Sequence, residues 1–194
     1  MAPMLGIMAS AISGNLVTNS FESIATATAN GGSSSVSFTS IPATYTHLQI
    51  RAISKNTFTS ADGADNVEIV FNSTTGIYSR HYMYVSDNLS EAYQQINLTR
   101  LNISNAMPRT TSWFTNKTAA WIMDIYDYTS TTKVKNCLIM SSLVTNANSQ
   151  NDQSNVQVTG AYQSTIAAIT QIDIRTALGN IAADCTFALY GIKG

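Results

Sequence analysis

Charged residues are scarce in this sequence of 194 residues. Only 11% are Asp, Glu, Lys or Arg, against about 25% in a typical soluble domain. Ten basic residues are balanced by eleven acidic ones, and no basic run occurs, which argues against nucleic-acid binding through phosphates. Ser, Thr and Asn take the place of the missing charges. This composition is typical of β-proteins and of subunits whose surfaces are partly covered by copies of themselves.

Cysteines and long apolar runs are also rare. Cys137 and Cys185 are the only two cysteines and are far apart in the sequence. Two cysteines do not form a disulfide scaffold, and their separation is not that of metal ligands. We therefore expect reduced thiols and assembly in a cytoplasm. No segment has the apolar length of a membrane helix, so no membrane insertion is expected. The first basic residue is Arg51. Residues 1–20 therefore lack the positive start of a secretory signal, and we interpret them as an uncharged N-terminal arm.

What the sequence does contain is a period of two. Short alternating runs such as HLQIRAIS and NVEIVFN, separated by turn residues, continue through residues 21–194. They predict about ten strands and an all-β, jelly-roll-like antiparallel β-sandwich over residues 21–194, preceded by the arm 1–20. Residues 86–95 (SDNLSEAYQQ) are a candidate for a helical turn, and the overlapping YQQINLTRL (residues 93–101) is a candidate for a short strand. The polar segment 145–155 is predicted to be a projecting loop.

The run CTFALYGI near the end of the sequence alternates as well as any other. It predicts a well-covered strand over residues 185–192. Phe187 and Leu189 are then expected in the core, with Tyr190 on the opposite face.

Carboxylates and histidines form no recognisable catalytic motif. His47 and His81 fall in predicted strands without a partner cluster, so we expect ordinary surface or core roles for both. Asp124 and Asp127 are three positions apart in a strand and therefore point to opposite faces. Asp127 is instead expected to be a strand-to-turn residue. No enzyme activity and no catalytic residue is predicted.

The segment DGADNVE allows two interpretations. Its Asp62, Asp65 and Glu68 are oxygen ligands of the kind that calcium prefers, but their spacing matches no ordered calcium loop, and a solvated loop is the alternative. We favour the loop and predict no metal site and no cofactor.

An aromatic stripe is expected on one face of the strand GIYSRHYMYV. It consists of Tyr78, Arg80, Tyr82 and Tyr84. Aromatic and Arg side chains are enriched at protein interfaces and also stack on sugars. Packing against neighbouring strands of the same subunit is the competing interpretation.

Three stretches resemble a group of small virion proteins of tailed bacteriophages. The first, residues 21–51, carries FESI, a Gly/Ser-rich turn and FTSIPATYTHLQIR. The second, residues 123–135, is MDIYDYTSTTKVK, and the third, residues 186–194, is TFALYGIKG. The short apolar segment before Phe21 is also typical of the group.

The resemblance implies a β-sandwich exposed on a phage particle, as a tail fibre, head fibre or capsid decoration component. No catalytic residue can be carried over from the group. Tyr45, His47, Gln49 and Arg51 transfer as structural motif positions only. Localisation in the virion, after assembly in the host cytoplasm, is implied.

We therefore expect a capsid decoration (cement) or head-fibre protein that forms a homotrimer. The N-terminal arm would anchor it to the major capsid protein or to a tail or baseplate protein. The apolar residues expected to anchor it are Met4, Leu5, Ile7, Met8, Ile12 and Leu16. A tail-fibre or baseplate component is one alternative. The other is a carbohydrate-binding module that recognises a host-surface glycan through the aromatic stripe.

Overall fold

The structure is a computed structural model that describes residues 20–59, 63–86, 89–111, 114, 116–144, 155–164 and 166–193. This part of the chain contains twelve β-strands and no α-helix. The strands are β1 (Phe21–Thr28), β2 (Ser35–Phe38), β3 (His47–Ser54), β4 (Ala64–Phe71), β5 (Tyr78–Ser86), β6 (Leu89–Leu98), β7 (Leu101–Pro108), β8 (Ala119–Tyr126), β9 (Lys135–Leu143), β10 (Asn155–Gln163), β11 (Ile172–Thr176) and β12 (Thr186–Ile192).

The strands form two antiparallel sheets that pack against each other. Sheet A has eight strands in the order β1-β12-β3-β8-β9-β10-β5-β6, and sheet B has four in the order β2-β11-β4-β7. The predicted all-β antiparallel sandwich is confirmed. Sheet A is twice as wide as sheet B, and β7 is the strand of sheet B that contacts β3, β8, β9, β10 and β5 across the interface.

The core lies between the two sheets and follows from the alternating sequence. In β8 and β9 every second side chain is buried and the next one is solvent-accessible, as expected for strands with one covered face. Trp121 of β8 packs on Phe187 of β12 with 6.2 Å between ring centroids. Sheet B contributes Ile69 and Ile174, both fully buried.

The strand predicted at residues 185–192 is an interior strand of sheet A. β12 lies between β1 and β3 and is paired along its length on both sides. Phe187 and Leu189 have no exposed surface, and Tyr190 lies on the opposite face. This prediction is confirmed.

The proposed helical turn at residues 86–95 is wrong. Residues 89–98 form β6, which pairs with β5 at the edge of sheet A. Polar side chains occur on both faces of this strand (sequence LSEAYQQINL), because only one of its edges is paired and little of it is covered. The alternation that marks a half-buried strand is therefore weak here. The strand candidate YQQINLTRL ends at Leu101, where β7 begins, so the sequence did not predict β7 as a separate strand.

Some sequence-based predictions fall outside the described residues. These are the whole anchoring set in the arm (Met4, Leu5, Ile7, Met8, Ile12 and Leu16), most of the predicted loop 145–155, and Asp62 of the carboxylate segment.

Candidate functional site

The three stretches singled out in the sequence (residues 21–51, 123–135 and 186–194) meet at one end of sheet A. The Tyr45 ring lies over Gly191, where an added Cβ would come within 2.3 Å of ring carbon Cγ. The Tyr45 hydroxyl donates to Glu22 Oε2 at 2.9 Å, and Lys193 Nζ donates to Glu22 Oε1 at 2.9 Å. The bond from Lys193, helped by the one from Tyr45, lowers the pKa of the Glu22 carboxyl. This clamp joins β1, β12 and the corner before β3.

The outer face of the same region carries an aromatic and cationic stack. Phe21 and Tyr190 are stacked with 4.8 Å between centroids. The Arg51 guanidinium lies 5.4 Å from the Phe21 ring centre and 5.7 Å from that of Tyr190. Such cation–π contacts at exposed sites contribute about 0.5–1 kcal/mol each. Arg51 is exposed on the face opposite Leu48 and Ile50, and these ring contacts are within the subunit.

The second stretch builds a turn that contacts the first. Asp127 has a left-handed backbone (φ 48°), and its carboxylate accepts from Lys133 Nζ at 2.9 Å. Its N–H donates to His47 Nδ1 at 3.0 Å. The Tyr128 hydroxyl donates to the Pro42 carbonyl. Asp127 is therefore the strand-to-turn residue that was expected.

Lys135, at the end of this turn, is fully buried, and no described carboxylate forms a salt bridge with it. Its Nζ donates to the carbonyls of Ser130, Lys133 and Ile166, so it holds the turn by hydrogen bonds to backbone oxygens. Burial lowers the pKa of this amine.

The predicted aromatic stripe on β5 is divided by the structure. Tyr78 has no exposed surface, its hydroxyl donates to the Thr74 carbonyl, and it accepts from the Phe71 N–H. Burial raises the pKa of Tyr78 to about 12. Arg80 is also buried. These two residues belong to the interior, and only Tyr82 and Tyr84 reach the surface.

Arg80 links the two sheets. Its guanidinium donates to Gln95 Oε1 of β6 at 2.8 Å, to the Asn102 carbonyl of β7 and to Ser104 Oγ of β7 at 2.9 Å. Its Cζ lies 4.2 Å from the centre of the Tyr82 ring. Burial lowers the pKa of the guanidinium, although a guanidinium stays protonated in proteins.

Tyr82 and Tyr84 form a cluster with Tyr93 of β6. The three rings are nearly parallel, with centroids 5.4 to 6.3 Å apart. Glu91 accepts from the hydroxyls of Tyr84 and Tyr93, each at 2.5 Å. The hydrogen bond from Tyr84, followed by the one from Tyr93, lowers the pKa of the Glu91 carboxyl. The same bonds to Glu91 raise the pKa of both tyrosine hydroxyls. We call these four residues the tyrosine cluster.

The outer face of sheet A, opposite the core, carries exposed large apolar side chains on five strands. Seven large apolar side chains there have between 37% and 63% of their surface exposed. We call this set the apolar outer face: Ile53, Ile122, Leu138, Met140, Val158, Met83 and Val85. Single exposed apolar residues are normal, whereas large contiguous apolar patches are typical of interaction sites.

The register shows that this face is continuous. Four of its residues are direct neighbours on adjacent strands: Ile122 pairs with Met140, Met140 with Val158, and Val158 with Met83. The row ends at Arg51 on one side and Ala92 on the other. Between these two described ends the row contains no charged side chain.

Two shallow grooves border this row. One, of about 470 Å³, is lined by Ile53, Ala120, Ile122 and Met140, among others. The other, of about 460 Å³, is lined by Met83, Val158, Gly160 and Ala92, among others.

The remaining candidates are engaged in ordinary structural contacts. The Asp65 carboxylate accepts hydrogen bonds from Arg109 Nη2 at 2.7 Å and from the side-chain amide of Asn56. Glu68 Oε2 forms a salt bridge with Arg100 Nη1 at 2.6 Å. Both carboxylates are thus paired with arginines. No group of three metal-ligating side chains occurs among the described residues.

The second pair of candidate carboxylates is separated. Asp124 accepts from Gln49 Nε2 at 2.7 Å on the outer face, whereas Asp127 lies in the turn. His81 is exposed on the outer face of β5.

Two features escaped the sequence interpretation. Tyr93 and Glu91 were placed in a possible helical turn, so their meeting with the stripe was not foreseen. The apolar outer face was not foreseen because strands such as IMDIY and CLIMS carry apolar residues on both faces, and alternation then does not say which face is inside. The only available signal was the low charge of these strands.

In the part of the chain that the structure describes, no helix is long and apolar enough to span a membrane. In comparisons with known proteins, no family model, no curated protein and no solved structure matches the chain.

Proposed function

We propose that this chain is a structural protein of a tailed bacteriophage virion, exposed on the particle as a capsid decoration or head-fibre protein. The observation that carries the proposal is the convergence of the three resembling stretches. Glu22, Tyr45, Gly191 and Lys193 form one clamp, and the Asp127 turn is bonded to His47. Motifs that are far apart in the sequence thus contact one another in the fold. This favours a common origin of the three resemblances over three independent coincidences.

The role follows from the surface. The protein has few charges and a broad apolar face, which suit it to packing against other proteins rather than to chemistry. A decoration protein stabilises a shell by adding buried area between neighbouring capsid subunits. The uncharged residues 1–20 provide the anchor to the major capsid protein or to a tail or baseplate protein, and the body forms a homotrimer.

Purified particles of the phage that encodes this chain test the proposal. Mass spectrometry should detect the chain in density-purified particles, and a particle map should place it on the head. A position on the tail or baseplate would support the alternative role as a fibre component. Absence from infectious, purified particles would overturn the proposal.

A truncation tests the anchor. A variant without residues 2–20 should remain folded, because β1 begins at Phe21, yet fail to decorate particles that lack the protein. Full-length protein added to the same particles is the control. If the truncated protein binds as well as the full chain, the anchor lies elsewhere.

A second function, binding of a host-surface glycan, is favoured by the tyrosine cluster. Tyr93 is 45% exposed beside an acidic acceptor, Glu91, and aromatic rings with nearby hydrogen-bonding groups suit sugar stacking. A glycan array should show binding that Tyr93→Ala removes and that Phe21→Ala, at an equally exposed aromatic residue outside the cluster, retains. An array without any signal contradicts this function.

A further inference from the structure

We infer that the apolar outer face is the contact surface between copies of this chain. The inference deepens the proposed function and rests on it for its biological setting. It names the surface through which the virion protein would assemble with itself.

The size of the face is the first argument. Five strands about 4.8 Å apart and three side-chain rows about 7 Å apart span on the order of 500 Å² of sheet, an area that includes Asp124, Gly160 and His81 beside the seven apolar residues. The largest apolar patch on a typical monomer is about 300–600 Å². A standard stable interface buries about 800 Å² on each partner. The face therefore supplies most of one interface, and its rim of Tyr126 and Tyr162, each about 40% exposed, extends it.

The charge pattern is the second argument, and it favours a copy over a different protein. When a patch packs against the same patch of a second copy, a charged side chain near the symmetry axis lies next to its own copy. The two like charges then repel each other. The central row from Ile122 to Met83 has no charge. The adjacent row contains Asp124, next to Leu138, and His81. Asp124 is bonded to Gln49, and Gln49 accepts from Arg51 Nε at 2.7 Å, so these charges are held within the subunit. Nothing in the row repels a second copy.

The relief of the face is the third argument. In the central row of the apolar outer face, Met83 and Met140 are the most exposed residues, with 63% and 55% of their surface accessible. Met140 lines one of the two grooves and Met83 lines the other, and the grooves have nearly equal volumes. Methionine is flexible enough to fill an irregular gap. A face that presents both projecting side chains and grooves can pack against another copy of itself.

The first test measures mass and surface access on the unaltered full chain. Light scattering should give a multiple of the single-chain mass of 20.9 kDa. Limited oxidation by peroxide, followed by peptide mapping, should modify Met83 and Met140 as slowly as Met107 and Met123, which are fully buried in the single subunit.

The second test uses charge substitutions. Ile122→Lys and Met140→Lys should each give a folded monomer, because a lysine without a partner at a closed interface is strongly unfavourable, whereas on a free surface it is tolerated. The matched control is Leu178→Lys, on the loop between β11 and β12, because Leu178 is as exposed (39%) as Ile122 (40%). It should keep the wild-type mass. Near-ultraviolet circular dichroism checks folding.

The outcomes separate the alternatives. A monomer whose Met83 and Met140 oxidise rapidly would overturn the inference, and so would an oligomer unaffected by both face substitutions. A monomer in which both methionines are protected would overturn it in favour of residues 1–19 of the same chain. Should the lysine variants unfold, the oxidation of the unaltered chain still decides. None of these results bears on whether the protein is found in particles, which is tested separately.

Discussion

At Gly191, the addition of a single methyl group is expected to destabilise the fold. An alanine Cβ would lie 2.3 to 2.4 Å from the Tyr45 ring carbons Cγ, Cδ1 and Cδ2, so the ring would have to leave the clamp with Glu22. We expect Gly191→Ala to lower the free energy of unfolding by about 1–3 kcal/mol, as overpacking does.

Gly160 provides the matched control for this prediction. It also lies inside a strand of sheet A, but a Cβ added there meets no atom within 4 Å. Gly160→Ala should leave stability unchanged or raise it by up to about 1 kcal/mol. Urea denaturation of both variants makes the comparison. Equal midpoints for Gly191→Ala and the unaltered chain would show that Tyr45 does not depend on the glycine.

The two thiols should be inert in the folded protein. Cys137 and Cys185 are buried and unpaired, and burial raises the pKa of both thiols, so little reactive thiolate forms at neutral pH. Titration with a thiol reagent should detect neither in native buffer and both in denaturant. Rapid native labelling of either cysteine would contradict its burial.

At the scale of elements, the Arg80 side chain of β5 forms hydrogen bonds to β6 in its own sheet and to β7 in sheet B. Replacing it with methionine leaves Gln95, Ser104 and the Asn102 carbonyl without their donor. We expect Arg80→Met to cost about 2–4 kcal/mol of unfolding free energy in chemical denaturation, as the loss of buried hydrogen bonds to a charge does. Arg51→Met, at an exposed arginine that also stacks on aromatic rings, should cost less than about 1 kcal/mol.

The strands also show how far the sequence predicts this structure. β3, β8 and β12 were located because their alternation is enforced by a core on one side, as for Leu48, Ile50 and Phe187. β6 was only partly located, through YQQINLTRL (residues 93–101), because an edge strand is weakly buried and its residues follow no clear period. The tyrosine cluster and the apolar outer face depend on pairing between strands distant in sequence, and register is not readable from a single strand.

For the whole molecule, acid should be destabilising. The pKa values of Glu22, Glu91 and Asp127 are lowered in the folded protein, first of all by hydrogen bonds from Lys193, Tyr84 and Lys133 respectively. A lowered pKa contributes stability that is present above the unfolded value of about 4 and is lost as the pH falls through the folded value.

The melting temperature should therefore be steady from pH 7 to about 5 and fall below about pH 4. A variant with Glu22→Gln, Glu91→Gln and Asp127→Asn should start lower at pH 7 and decline less on acidification. Parallel curves for the variant and the unaltered chain would show that other groups control the acid limb.

The position of β12 has a consequence for the order in which the molecule forms. Of the strands that the structure describes, β1 pairs in sheet A with β12 alone, and the ion pair that closes this end, Glu22 with Lys193, spans 171 residues. Among the described strands, β1 is therefore synthesised long before the strand with which it pairs, and until β12 is made both β1 and β3 present an unpaired edge. Such non-local closure is slow, on the order of milliseconds to seconds, and a half-made chain exposes strand edges that invite pairing with its neighbours.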